Sequence, residues 1–213
     1  MKKIAVIGST GSIGRQALSV AARYPERFCV VAMAANSNQS LFAEQVASVR
    51  PAFAALRAAG DLISVPADVR FARGEAAFEE VCAFPDADIV LVAVSGFAGL
   101  KATLLAIGAG KDVALANKES LVVGGELVLR RARERGVQIL PVDSEHSAIR
   151  QCLHFDRTAP YARILLTASG GALRDVPLQA LSSVTAREAL AHPNWKMGPK
   201  ITLDCATMLN KGF

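Results

Sequence analysis

Asp143 and Glu145 stand two residues apart in the string Pro141-Val142-Asp143-Ser144-Glu145-His146-Ser147, directly after a short apolar run at residues 137–140. In an extended stretch alternate residues share a face. The two carboxylates can therefore converge on one hard cation held by oxygen ligands, which would be magnesium or manganese. The same string also reads as a helix start, with Asp143 or Ser144 as the N-cap and Glu145 in the first turn, where negative charge is favoured. The rest of the chain decides how much weight the metal reading carries.

The chain opens with a second piece of chemistry. Gly8-Ser9-Thr10-Gly11-Ser12-Ile13-Gly14 follows an apolar run and precedes a helical pattern. Glycines in that position permit a tight turn and bring a pyrophosphate close to helix N-terminal amides. The spacing is GxxGxxG rather than the commoner GxGxxG. At the end of the next apolar run an NAD site usually carries an acid for the ribose 2′-hydroxyl, whereas this chain has Ala34-Ala35-Asn36-Ser37-Asn38. No carboxylate is there to repel a 2′-phosphate, which favours NADP, and no arginine stands at those positions either. Two further strings fall at the ends of apolar runs, where ligands of α/β sheets bind: Ala93-Val94-Ser95-Gly96 and Ala116-Asn117-Lys118-Glu119-Ser120.

The last third holds a different set. Thr167-Ala168-Ser169-Gly170-Gly171 can offer amides and a hydroxyl to an anion. Ala191-His192-Pro193-Asn194-Trp195-Lys196-Met197-Gly198, with the single tryptophan, is too polar and broken for a core. It reads as a lid loop or as the plug of a small satellite core. Asn210-Lys211, near a helix start, suits phosphate recognition.

These residues need a scaffold, and hydrophobic periodicity supplies one. Strand-like runs at 4–7, 29–34, 53–56, 89–94, 113–115 and 137–140 alternate with helical patterns at 13–23, 41–49, 75–82, 99–107 and 121–135. That is βαβ punctuation, and it predicts a Rossmann-like doubly wound parallel α/β sheet. After Pro141 the texture changes: a helix at 144–153, a strand at 164–167, then a long polar stretch with Gly and Pro. We expect a dinucleotide-binding domain over 1–142 and part of an α+β catalytic domain over 143–213, ending as a helix begins near Met208.

The bulk numbers narrow the function classes. A chain of 213 residues with 52% hydrophobic content buries a sizeable core,. The net charge of +5 is scattered, and its only dense run, Arg130, Arg131, Arg133 and Arg135, is interleaved with Glu134 on an exposed helix end,. Nucleic acid is not indicated, while mild positive charge suits anionic substrates. Cys29, Cys82, Cys152 and Cys205 lack CxxC spacing and read as reduced thiols of a cytoplasmic protein,. Neither a signal peptide nor a membrane span is long enough to be present.

Taken together, GSTGSIG, LANKESLV, PVDSEHSAI, HPNWKMG and KITLDCATMLNKG resemble, in order, the 1-deoxy-D-xylulose 5-phosphate reductoisomerase family. The resemblance implies NADPH-dependent conversion of that sugar phosphate to 2-C-methyl-D-erythritol 4-phosphate, a step of non-mevalonate isoprenoid synthesis, by an enzyme that is a homodimer at full length. It implies Asp143 and Glu145 as ligands of Mg2+ or Mn2+, with Lys118 and Ser144 on substrate hydroxyls. Ser169, His192, Asn210 and Lys211 match positions around the phosphate, and Trp195 and Met197 match a lid over substrate and nicotinamide. Thr10, Gly11, Ser12 and Ile13 match the pyrophosphate turn; Gly8, Asn36, Ser37, Asn38, Ala93, Val94, Asn117 and Glu119 complete the expected cofactor contacts.

The chain departs from the family in three respects. Cys205 stands at a phosphate position usually held by serine, and a thiol is a poorer donor. Ala168 and Ala172 replace a usual glycine and proline. The family's metal-completing glutamate and C-terminal helical domain lie past the point reached by Phe213, so little activity is expected of these residues alone. The rival readings are another NADP-dependent enzyme of the aspartate-semialdehyde or homoserine dehydrogenase type, against which the DSEH and HPNW strings speak, and a non-catalytic NADP-binding module.

Overall fold

The computed structural model describes residues 1–60, 64–154, 156, 158 and 160–213. By backbone contacts the chain divides into two compact units, Met1–His146 and Ser147–Phe213.

The first unit is a seven-stranded sheet. Its strands are β1 Lys2–Ile7, β2 Phe28–Ala35, β3 Phe53–Leu56, β4 Arg70–Arg73, β5 Ile89–Val92, β6 Asp112–Leu115 and β7 Ile139–Pro141, in spatial order β4-β3-β2-β1-β5-β6-β7. Every neighbouring pair is parallel. The connecting helices are α1 Ser12–Arg23, α2 Gln39–Val49, α3 Glu75–Cys82, α4 Ala98–Gly108, α5 Glu119–Arg135 and α6 Ser144–Cys152, the last running on past the boundary between the units.

The two-residue side-chain period of a strand divides the interior in two. Ala5, Ile7, Ala32, Ala34, Phe53 and Ala55 point into one core, closed by Phe78, Val81, Leu100, Ala106, Ile107 and Val128 from α3, α4 and α5. Val6, Met33, Ala35, Ala54 and Leu56 point into the other, closed by Ala21, Phe42 and Val46 from α1 and α2. Strands buried on both faces must be apolar throughout, which is why the runs are so plain in the sequence. Strand order reverses at β1, whose neighbours β2 and β5 lead to opposite sides. This is where ligands of open α/β sheets bind.

The expected doubly wound sheet is present, with differences at its margins. The edge strand β4 was not foreseen, since Arg70-Phe71-Ala72-Arg73 carries only two apolar residues. The strand expected over 89–94 stops at Val92, and that expected over 137–140 lies at Ile139–Pro141.

In the second unit the described residues form a 3-10 turn at Leu178–Ser183 and helices α7 Ala186–Ala189, α8 Pro199–Ala206 and α9 Leu209–Gly212. The strand expected at 164–167 is absent: Ile164, Leu165 and Leu166 are exposed, and no strand of this unit among the described residues offers an edge to pair with,. These residues therefore show no β component of an α+β domain. Thr185 and Glu188 close a capping box on α7,, and Pro199 takes the first turn of α8, where its missing N–H costs nothing,.

Candidate active site and dinucleotide turn

At the carboxyl edge of the sheet, Lys118 ends the loop after β6, and Asp143 follows β7. The Lys118 ammonium lies 3.0 Å from Asp143 Oδ2 and 2.9 Å from Glu145 Oε2, with all three side chains between 7% and 12% exposed. Burial alone would lower the Lys118 pKa, but the bonds to Glu145 and Asp143 outweigh it and raise the pKa,. Asp143 is pushed upward by burial and then by the neighbouring Glu145, against the pull of Lys118. Two nearly buried carboxylates side by side need positive charge between them, and here the lysine supplies it.

The two readings of this string prove compatible. The carboxylates converge not along an extended stretch but at a helix start, because α6 begins at Ser144. Asp143 Oδ1 accepts the backbone N–H of Glu145 at 3.3 Å, as an N-cap side chain does, while its Oδ2 faces Lys118,. Ser144 donates its hydroxyl to Glu145 Oε2 at 3.0 Å. The pair offers two hard oxygen donor groups, and among the described residues no cluster of three or more His, Cys, Asp or Glu exists. Magnesium is commonly held by one or two carboxylates together with substrate and water, so the donor set fits such an ion.

The loop holding Lys118 is fixed by Asn117, which is 1% exposed. Its Nδ2 donates to the carbonyls of Val94 at 2.9 Å and Gly96 at 3.0 Å and to Glu119 Oε2 at 3.1 Å. Its Oδ1 accepts the N–H of Ser120 at 3.0 Å, and the Ser120 hydroxyl as well. One amide thus ties the loop after β5 to the loop after β6 and caps α5. Gly99 makes room for it: a β-carbon at 99 would stand 2.3 Å from Asn117 Cγ and Oδ1. Val94 and Ala93 are half-buried beside this tie, and Glu119 joins it.

The glycine-rich turn lies one strand over. Gly8 has φ +91, and a β-carbon there would meet the Ala93 carbonyl oxygen at 2.6 Å, so both backbone and space require glycine,. The N–H groups of Gly8 and Ser9 donate to Ala34 O at 2.8 and 3.1 Å. Gln45 of α2, which the sequence did not single out, donates to Ser9 O at 2.9 Å. Gly8 and Ser9 are buried, while Thr10 and Ile13 are partly exposed and Gly11 and Ser12 exposed at the start of α1. No acidic residue occupies the first turn of α1, which leaves the helix's positive end suited to an anion. Asn36, Ser37 and Asn38 are exposed after β2, and Asn38 Oδ1 caps α2 by accepting the Leu41 N–H at 3.3 Å.

Within the second unit the turn at Ser169 packs on the end of α8, since a β-carbon on Gly171 would stand 2.4 Å from the Cys205 carbonyl oxygen. Ser169 is exposed and its carbonyl accepts from Arg174 at 3.2 Å. Cys205 is half-buried, Asn210 is 5% exposed and Lys211 partly exposed. Trp195 is exposed and Met197 partly so. The His192 ring is held by the backbone of its own loop.

Comparison with known proteins gives a consistent result. The family profile described as 1-deoxy-D-xylulose 5-phosphate reductoisomerase matches residues 4–125, and that of the C-terminal domain of the same enzyme matches residues 139–213. The 1-deoxy-D-xylulose 5-phosphate reductoisomerase of Acaryochloris marina (strain MBIC 11017) is 49% identical over 220 residues, covering 100% of this chain and 55% of that protein. That of Gloeobacter violaceus (strain ATCC 29082 / PCC 7421) is 50% identical over 225 residues, covering 100% and 56%. The crystal structure of DOX-P reductoisomerase in complex with NADPH, fosmidomycin and magnesium is similar at a TM-score of 0.87 and 34% identity, over 100% of this chain and 56% of that one. The Zymomonas mobilis enzyme in complex with NADPH gives 0.83 and 40%, over 99% and 55%. The chain spans about half the length of the relatives it matches.

Proposed function

We propose, for a chain that belongs to the 1-deoxy-D-xylulose 5-phosphate reductoisomerase family, that it binds NADPH and carries the cofactor turn and part of the catalytic machinery for converting 1-deoxy-D-xylulose 5-phosphate to 2-C-methyl-D-erythritol 4-phosphate. The observation that carries this reading is the buried Lys118 between Asp143 and Glu145, on the same sheet edge as the glycine-rich turn. Turnover is proposed for these residues in combination with the further length that the relatives possess and this chain does not span.

In this reading Asp143 and Glu145 hold Mg2+ or Mn2+, which would stabilise the negative charge that develops on the substrate's carbonyl and hydroxyl oxygens as a carbon–carbon bond is broken and remade. NADPH, when bound at the glycine-rich turn, would supply the hydride for the reduction. Lys118 holds its proton beside the two carboxylates and adds positive charge next to the substrate hydroxyls, together with Ser144. Asn117 keeps the loops after β5 and β6 in register, so that Ala93, Val94 and Glu119 face the cofactor from fixed backbone. The turn from Gly8 to Ile13 binds pyrophosphate, with Asn36, Ser37 and Asn38 beside the adenosine ribose. In the second unit Ser169, His192, Cys205, Asn210 and Lys211 contact phosphate, and Trp195 and Met197 exclude water.

A homodimeric, cytoplasmic enzyme of small sugar phosphates, with no nucleic-acid or membrane partner, belongs to the same proposal. Four free cysteines support the reducing compartment,, and no helix among the described residues is long and apolar enough to cross a membrane. Fluorescence titration with NADPH and NADH tests the cofactor half. Tighter NADPH binding is expected, and equal dissociation constants would sink the argument from the end of β2. NADPH oxidation with 1-deoxy-D-xylulose 5-phosphate and magnesium, compared between these residues and a chain of the relatives' length, tests the rest. Cofactor binding without turnover in either protein would leave only an NADP-binding module.

A further inference from the structure

We infer that Gln45 of α2 holds the Ser9–Thr10 peptide so that its N–H meets the cofactor pyrophosphate, which makes Gln45 a positioning residue for dinucleotide binding. The inference rests on the proposed dinucleotide site and deepens it.

Of the four backbone N–H groups in the turn from Gly8 to Gly11, three are bonded within the protein. Those of Gly8 and Ser9 donate to Ala34 O at 2.8 and 3.1 Å, and that of Gly11 closes the turn on Gly8 O at 3.1 Å. The N–H of Thr10 donates to no oxygen among the described residues, and Thr10 is partly exposed. It is the donor that this turn keeps for a ligand, and an anion is the ligand that the positive end of α1 favours.

The direction of that N–H is set by the central peptide of a four-residue turn. This is the part that rotates most easily, because turns that differ in its orientation share the same ends. Full inversion would demand a positive φ at Thr10, which a β-branched residue resists and which Thr10 does not have. The remaining freedom is restricted by Gln45, whose Nε2 donates to Ser9 O at 2.9 Å. No peptide bond among the described residues is cis, so the carbonyl of Ser9 and the N–H of Thr10 point opposite ways. Holding the first toward α2 turns the second away from it.

The other end of the same amide separates this role from mere packing. Gln45 Oε1 is buried and accepts no hydrogen bond among the described residues. A buried acceptor without a donor costs free energy that an apolar side chain of the same reach would not incur. For packing alone methionine would serve as well, and what glutamine adds is the bond to Ser9.

The test titrates NADPH and NADH separately into the 213-residue chain and its variants by cofactor fluorescence, beside thermal melting and the amide resonances of isotope-labelled protein. Gln45→Met, of similar length but without a donor, should weaken both cofactors by the same factor, about threefold to tenfold, the scale of one neutral hydrogen bond. Its melting temperature should stay at that of the unaltered chain or rise. Gln45→Glu, nearly the same shape but with a carboxylate facing the carbonyl, should weaken both cofactors further. The Thr10 N–H resonance should move when NADPH is added to the unaltered chain, and should already be displaced in Gln45→Met with no cofactor present. Affinities that fall only in step with the melting temperature would make Gln45 a residue of the fold alone and overturn the inference. Unchanged affinities in both variants, a loss confined to one cofactor, or a Thr10 resonance indifferent to NADPH would overturn it too. An unaltered chain that binds neither cofactor would overturn the proposed function together with this inference, a result distinguishable from all of these.

Discussion

Trp195 donates its backbone N–H to Nδ1 of His192 across 3.0 Å, and Asn194 does the same at 3.1 Å. A ring nitrogen that accepts two hydrogen bonds carries no proton, so the imidazole proton sits on Nε2. That atom is buried and has no hydrogen-bond partner among the described residues. The ring therefore does two things at once: it folds the loop that presents Trp195, and it directs an N–H donor away from that loop.

Because an asparagine oxygen occupies nearly the place of Nδ1 and commonly accepts N–H groups two and three residues on, His192→Asn should keep the loop, whereas His192→Gln should lose it. Trp195 is the only tryptophan, so its emission and anisotropy report the loop without any ligand. The asparagine variant should match the unaltered protein and the glutamine variant should show faster depolarisation. The opposite order would show that Nδ1 does not organise the loop.

Lys118→Met should be costly, because it removes a cation set between two nearly buried carboxylates. Breaking such a pair typically destabilises by roughly 3–5 kcal/mol, readable by urea unfolding. Millimolar magnesium should raise the melting temperature of the variant more than that of the unaltered chain, since an ion between Asp143 and Glu145 no longer competes with the ammonium. If magnesium moves neither melting temperature, the carboxylate pair is not a cation site in this chain.

Gly99→Ala should destabilise the first unit by about 1–3 kcal/mol through overpacking, because the added carbon falls on the Asn117 amide. Asn117→Ala leaves the partly buried carbonyl groups it served without their donor, at a similar cost. The double variant should be less damaged than the sum of the two, since the clash disappears with the amide. Strict additivity in denaturant melts would mean that the contact is relieved in some other way.

Cys82 lies 0% exposed on α3, and burial, then the nearby Glu79 and Glu75, pushes its thiol up to about 12. Thiol reagents at pH 8 should label exposed Cys152 and spare Cys82 until the protein is unfolded. The sign of the linkage follows from the direction of the shift. The unfolded thiol ionises near 8.5 and the folded one near 12,, so stability is retained below the lower value and lost as pH rises between them, at up to about 1.4 kcal/mol per pH unit from this group. Cys82→Ala should flatten that alkaline limb of the melting curve; an unchanged limb would assign it to other groups.

The parts of this fold that were legible in the sequence are those whose burial is complete. Strands β2, β3 and β5, and the buried stretches of β1 and β6 at residues 4–7 and 113–115, read as apolar runs because they are largely covered on both faces, and their helices as regular stripes. Strand β4 escaped notice because an edge strand needs only half a pattern, and Phe71 and Ala72 are flanked by two arginines, of which Arg70 pairs with Glu80. The run at 164–167 misled for the opposite reason: an apolar tripeptide is not a strand without an edge to join. Helix α8 was missed although Pro199 stands in its first turn, a signal available all along,. At the site, the strings themselves suggested which loops matter, but not the pairings. Nothing local indicates that Lys118 meets residue 143, that Asn117 serves residue 94, or that Arg73 leans on residue 39, since each contact is made by the order of strands in the sheet.

The seat of Gly8 against Ala93 also sets a schedule. Strand β1 is synthesised well before β5, which flanks it with residue 4 opposite residue 89. A chain leaving the ribosome at about 5–20 residues per second spends on the order of ten seconds with the glycine-rich turn half-walled and one edge of β1 open to any other extended segment. In this interval a nascent chain arrested before residue 93 would possess the whole glycine motif while still lacking the carbonyl against which Gly8 is seated.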